Sequence, residues 1–213
     1  MNKTVELVRL WGDFEEKYPA GTLEDFFRYQ LTQSRERTKP KTPLEERPLP
    51  VESRLMIMIG KIGKMHLVYA NLALQGSGLS QMEEFGMLIT ILTQQGDPKK
   101  TEVIQSNMLE LSSGANMLER LKKKGLIEEY DDQVDRRSKR MKLTEAGKKT
   151  VQKSTPRVAK LAKMMLNDLD EEDKLLCIQL LKSTEAKFSA LLSKQRIKSF
   201  DEIYKENMPG ERE

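Results

Sequence analysis

Apolar positions along the chain recur mostly at helical spacing. Leu7, Trp11, Phe14 and Tyr18 lie four, three and four residues apart, which predicts one face of a helix stopped by Pro19. Thr22 followed by Asp25 is a capping pair, and Leu23, Phe26, Phe27 and Leu31 form a second short stripe. Between Thr38 and Pro50 the period disappears. Pro40, Pro43, Pro48 and Pro50, four of the eight prolines, predict an extended tether there. Leu55, Met58, Ile59, Ile62, His66, Tyr69 and Ala73 then fall on one side of a long helix that closes near Gly76 and Gly78. Ser80 and Glu83 read as a capping box for the next helix, whose stripe is Phe85, Leu88, Ile89 and Leu92. Gly96-Asp97-Pro98 breaks it.

Two shorter helices follow. One is expected from Lys100 to Met108 with Val103, Ile104 and Met108 inward, the other from Ser112 to Lys124 with Leu118 and Leu121 inward. Gly125 stands where a left-handed helix cap is wanted. Leu126 to Tyr130 is the one convincing strand signal; beyond a charged loop from Asp131 to Lys139, Met141 and Leu143 alternate with Lys142, predicting a small β-hairpin. Thr144 caps a long helix carrying Val151, Val158, Leu161, Ala162 and Met165, which Pro156 is expected to kink or interrupt. Asp170 caps the last helix, whose acidic first turn suits the dipole and whose buried side is Leu176, Leu180, Leu181, Phe188, Leu191 and Leu192. The fold class expected is mainly α, with one hairpin and no internal repeat.

Composition narrows the function. Of 213 residues, 38% are hydrophobic and 33% charged, which suits helices with one apolar stripe and well-solvated outer faces. One cysteine, Cys177, and one histidine, His66, leave no metal-ligating cluster, so neither a metal nor a cofactor is expected. His66 reads as a packing residue. The longest apolar run, Leu55 to Ile59, is far below the roughly 18 residues needed to span a bilayer, and the expectation is a cytoplasmic protein without a membrane partner. No nucleophile elbow, phosphate-cradling glycine loop or metal spacing suggests an enzyme.

The net charge is only +4, but its placement is informative. Residues 99–149 hold 13 basic and 9 acidic residues, a surplus equal to that of the whole chain. Lys122, Lys123 and Lys124 end the second short helix, where they serve either the dipole or a phosphate; Arg136, Arg137, Lys139 and Arg140 occupy the hairpin, where self-repulsion is costly without a polyanion. A short helix fits the major groove, about 12 Å wide, while a hairpin tip reaches phosphate or the minor groove.

The stretch Leu118 to Ile127 (LERLKKKGLI), followed by Asp135 to Gly147 (DRRSKRMKLTEAG), resembles the recognition-helix end and wing of the MarR family of bacterial regulators, within a likeness covering about Leu55 to Leu192. The resemblance implies a winged helix-turn-helix lobe with long N- and C-terminal dimerisation helices. It implies a homodimer that binds double-stranded DNA at a pseudo-palindromic operator, as a repressor. The organisation expected is a helical appendage at 1–37 and a linker at 38–50, both outside the resemblance, then the MarR-like domain at 51–195 and a tail at 196–213. Within the domain, 51–76 and 144–195 would be dimerisation helices and 79–143 the DNA-binding lobe. Apolar stripes on the terminal helices, with no other large element to cover them, point independently to a second copy.

By position in that family, Ser112, Ser113 and Asn116 are implied base-edge and phosphate contacts, although Ser112 reads equally well as a helix cap. Arg136 and Arg137 are implied wing contacts, with Asp135 orienting the loop. Lys99, Lys100, Thr101, Arg120, Lys139 and Arg140 complete the expected DNA-facing set. Gly114 and Ala115 replace larger residues common at this point in the family, a departure that bears on sequence preference. The family commonly binds small-molecule effectors between lobe and dimer helices, where Met58, Ile62, Met65 and Met87 are candidate pocket residues. Cys177 reads as a buried structural cysteine, with a redox sensor as the alternative. An alternative function is a winged-helix interaction module that docks a protein through the N-terminal aromatics Trp11, Phe14, Phe26 and Phe27.

Overall fold

The computed structural model describes residues 2–36, 49–194 and 199–208. The expected tether lies outside the described residues up to position 48. Two compact units divide the chain, Met1–Lys61 and Ile62–Glu213.

In the first unit, α1 (Lys3–Lys17) and α2 (Leu23–Glu36) carry a cluster of rings. Trp11, Phe14, Tyr18, Phe26 and Tyr29 meet at centroid distances of 5.2 to 5.8 Å, mostly tilted or edge-on, as ring quadrupoles favour. Phe14 and Phe26 are buried, whereas Leu7, Leu23, Phe27 and Leu31 stay exposed. The turn between the helices passes so close to Phe14 that a Cβ on Gly21 would lie 2.7 Å from its ring. Thr22 and Asp25 form the expected reciprocal cap, the Thr22 N–H donating to Asp25 Oδ2 at 2.9 Å and the Asp25 N–H to Thr22 Oγ1 at 3.2 Å. Helix α3 (Val51–Ala73) crosses the division between the units.

The second unit continues with α4 (Met82–Thr93), α5 (Lys100–Ser106), α6 (Leu111–Lys123), β1 (Ile127–Asp131), β2 (Lys139–Leu143), α7 (Glu145–Met165), α8 (Glu171–Lys194) and α9 (Phe200–Asn207). β1 and β2 pair antiparallel, from Ile127 opposite Leu143 to Asp131 opposite Lys139. One core joins α4, α5, α6, the hairpin and α7, with Met87, Leu88, Val103, Leu118, Leu121 and Met141 at its centre. Gly125, at φ +69°, closes α6; its N–H donates to the Lys122 carbonyl while the Leu126 N–H reaches the Leu121 carbonyl. Thr144 Oγ1 accepts from the Gly147 N–H at 3.0 Å, capping α7. At Gly147 only glycine fits, since a Cβ would lie 2.1 Å from the Leu126 carbonyl oxygen.

Several expectations are corrected. The inward face of α4 is Glu84, Phe85, Met87, Leu88 and Ile91, and Leu92 is exposed. The partner of Ser80 is Glu84, not Glu83, because the helix starts at Met82. Met108 is exposed and has φ +53°: the chain has already left α5 and turned left-handed there. Helix α6 begins at Leu111 with Glu110 at the N-cap, so Ser112 caps nothing. α7 is not interrupted at Pro156. Cys177 is exposed. A further helix, α9, occupies part of the expected tail, with a capping box between Ser199 and Glu202. The apolar residues of α8, among them Leu176, Leu180, Leu181, Phe188 and Leu192, are exposed in the single chain, as are Leu55, Met58, Ile59 and Ile62 of α3.

Candidate nucleic-acid interface

Helices α5 and α6 and the β1–β2 hairpin bring together most of the residues expected to face DNA. Glu102 fixes the start of α5 by accepting from the Lys99 N–H at 2.8 Å. The two helices touch at Gly114, where a Cβ would lie 2.5 Å from Ile104 Cγ2; the small residue is therefore demanded by packing inside the helix pair. Ser112, Ser113 and Asn116 stand exposed on the first turns of α6, and Thr101 is exposed on α5. None of these four side chains makes a hydrogen bond among the described residues. Two short polar hydroxyls and an amide at a helix N-terminus present donors and acceptors to whatever approaches, backed by the positive end of the dipole.

The hairpin loop is shaped by two aspartates. Asp132 Oδ1 accepts from the N–H groups of Val134 and Asp135, each at 2.8 Å. Arg140 Nε donates to Asp132 Oδ2, and Arg140 Nη1 donates to the carbonyls of Gly96 at 2.8 Å and Asp97 at 2.7 Å. The N–H groups of Asp135 and Val134 above all, together with Arg140, hold the Asp132 carboxyl down at about 2 against the opposing effect of burial. Asp135 in turn accepts from the Ser138 hydroxyl at 2.7 Å and the Arg137 N–H at 3.1 Å, and these hold its carboxyl below the ordinary range. The Met141 N–H donates to the Pro98 carbonyl at 2.9 Å and Lys99 bridges to Arg140, so the chain entering α5 acts as a third, minimal strand beside the hairpin.

The cations separate into two groups. Lys100 pairs with Glu119 at 3.2 Å and Glu129 at 3.3 Å, Arg120 with Glu84 at 3.3 Å, Lys122 with Glu129 at 3.8 Å, Lys124 with Glu84 at 2.9 Å, and Lys139 with Asp131. Arg140 is committed to the hairpin root. Arg136 and Arg137 form no ion pair among the described residues and stand exposed at the tip beside Val134, which is 96% exposed. Lys99 is partly buried, with its backbone engaged at both N–H and bridge. By residue type and spacing alone Lys100, Arg120, Lys139 and Arg140 do not differ from Arg136 and Arg137; the fold gives them their acidic partners. Glu84 and Asp132 were missed as organising residues. For Glu84 a signal existed, since it falls on the same helical face as Leu88 and Ile91.

The four candidate pocket residues differ in burial. Met87 is fully buried in the core, because its face of α4 packs against α6, β2 and α7, whereas Met58, Ile62 and Met65 are exposed along α3. A cleft of about 770 Å³ lies elsewhere, bordered by Gln94, Glu102, Met108 and Leu111 and by Glu185 and Leu192 of α8. No described helix is long and apolar enough to cross a membrane, and among the described residues no group of three His, Cys, Asp or Glu could hold a metal ion.

Residues 87–147 match the family model of the winged helix DNA-binding domain. AbsC, a MarR family transcriptional regulator from Streptomyces coelicolor, is 19% identical with a TM-score of 0.60, over 72% of this chain and 99% of that one. A mutant of MarR from Escherichia coli, solved in complex with operator DNA, is 21% identical with a TM-score of 0.57, over 61% and 92% of the two chains. CouR from Rhodococcus jostii, solved with p-coumaroyl-CoA, is 17% identical with a TM-score of 0.55, over 74% and 100%. No curated protein sequence matches the chain. The chain has the fold of the MarR family transcriptional regulators, with the winged helix domain at its centre.

Proposed function

We propose that the chain is a duplex-DNA-binding transcriptional regulator, a repressor that acts as a homodimer on a pseudo-palindromic operator and answers to a small-molecule effector. The observation that carries this reading is the pair Arg136 and Arg137, two exposed guanidinium groups without a described acidic partner, on a loop whose other cations are neutralised by neighbours. A protruding turn with that charge favours a polyanion, and a wing beside a helix-turn-helix meets one when the helix enters the major groove. Ser112, Ser113 and Asn116 then face base edges, Thr101 and Lys99 lie near phosphate, and Lys100, Arg120, Lys139 and Arg140 hold the scaffold. The E. coli relative solved on operator DNA supports the partner, and the ligand-bound CouR supports an effector. Residues 51–76 and 144–195 serve as dimerisation helices, 79–143 as the reading lobe and 1–37 as an appendage. No chemical reaction is part of this role.

Salt titration of duplex binding tests it. Each phosphate contact contributes about −0.9 to the slope of log K against log salt, so replacing Arg136 and Arg137 by alanine should flatten the slope by roughly 2. An unchanged slope in the double variant would remove the wing from the interface.

A further inference from the structure

Glu84 sits fully buried on the core face of α4, where the helical period otherwise places hydrocarbon. Both of its oxygens are engaged by identified donors. Oε2 accepts from the Ser80 N–H at 2.9 Å and from Lys124 Nζ at 2.9 Å, while Oε1 accepts from Arg120 Nε at 3.3 Å. Lys124 also donates to Ser80 Oγ at 3.1 Å. Burial opposes ionisation, but the Ser80 N–H, Lys124 and Arg120 outweigh it and keep the carboxyl below its ordinary range.

Arg120 and Lys124 are one helical turn apart at the C-terminal end of α6, so a single carboxylate grips that helix at two points along one edge. Such a fork fixes both the rotation of α6 and its position along its axis. The apolar contacts of Leu118 and Leu121 are non-directional and do not by themselves define either. Well-packed hydrocarbon in place of a buried ionic cluster is commonly as stable or more so, which makes orientation rather than strength the advantage of a charge at position 84. Near the other end of α6, Gly114 against Ile104 fixes the separation from α5.

We infer that Glu84 is a positioning residue for DNA recognition: without touching DNA, it sets the rotation of α6 and so directs Ser112, Ser113 and Asn116 into the groove. The inference rests on the DNA-binding reading above.

The test uses full-length protein, an operator duplex selected from a random library by the wild type, and a scrambled duplex of the same length and composition. Failure of the wild type to bind either duplex would sink the DNA-binding reading itself, before any variant is made. In Glu84→Gln, measured where circular dichroism shows native helix content, the operator-to-scrambled affinity ratio should fall roughly tenfold, the scale of one misdirected base contact. Affinity for the scrambled duplex and its salt slope should stay as in the wild type. An unchanged ratio in the folded variant overturns the inference. So does a steeper slope, which would make Glu84 a mask over two phosphate-binding cations rather than a guide for the helix. Where Glu84→Gln does not fold, Lys124→Met keeps the Arg120 arm and should lower the ratio alone; an unaltered ratio there overturns the inference equally.

Discussion

At the root of the wing the carboxylate of Asp132 collects the N–H groups of Val134 and Asp135 and the Arg140 guanidinium, and its carboxyl is held at about 2 against an ordinary 3.8. A carboxyl depressed by folding contributes stability that is fully present above its unfolded value, near 4, and is lost as pH falls through its folded value, near 2. Urea denaturation across that interval should show a decline in the wild type that is shallower in Asp132→Asn; parallel curves would mean that the loop does not depend on the ionised form. The same residues show what is legible in a sequence. Arg136 and Arg137 stand out from charge density alone, but the neutralised cations do not differ from them in type or spacing. Two of the pairs that neutralise them are distant in the chain: Arg120 and Glu84 are 36 residues apart, and Lys100 and Glu129 are 29 apart. Only the closed fold brings such pairs together.

At the scale of elements, motifs with fixed residue types at fixed spacing read correctly from sequence, as with Thr22–Asp25 and Thr144. Starts and stops that depend on backbone conformation did not. Ser80 was paired with Glu83 because both glutamates satisfy the capping pattern to within one residue, and packing against Arg120 and Lys124 selects Glu84. Met108 was placed inward because its spacing continues the α5 stripe, whereas its positive φ takes it out to solvent. Gly114 was a departure from family pattern that the sequence left unexplained; the Ile104 side chain explains it. Gly114→Ala should cost about 1–3 kcal/mol of stability by overpacking, and Ile104→Ala, which removes both clashing γ carbons, should cost less in the Gly114→Ala chain than in the wild type. Urea midpoints of the single and double variants measure both, and additive losses would contradict a shared contact.

For the whole molecule, the exposed apolar residues of α3 and α8 are the dominant unsatisfied feature. A second copy that covers them would make the protein sediment at twice the 24.6 kDa of the chain. Leu181→Lys, at an exposed apolar position of α8, should shift that equilibrium toward the single chain and weaken operator binding in parallel, as half-sites lose their mutual support. A variant that stays fully dimeric would place the seam elsewhere. Helices that meet at a bare α-carbon, as α5 and α6 do at Gly114, cannot glide past one another without collision. On the proposed dimeric reading the reading head is accordingly stiff, and an effector that lowers operator affinity would act like a hand on a caliper, changing the gap between two jaws while leaving the profile of each jaw as it was.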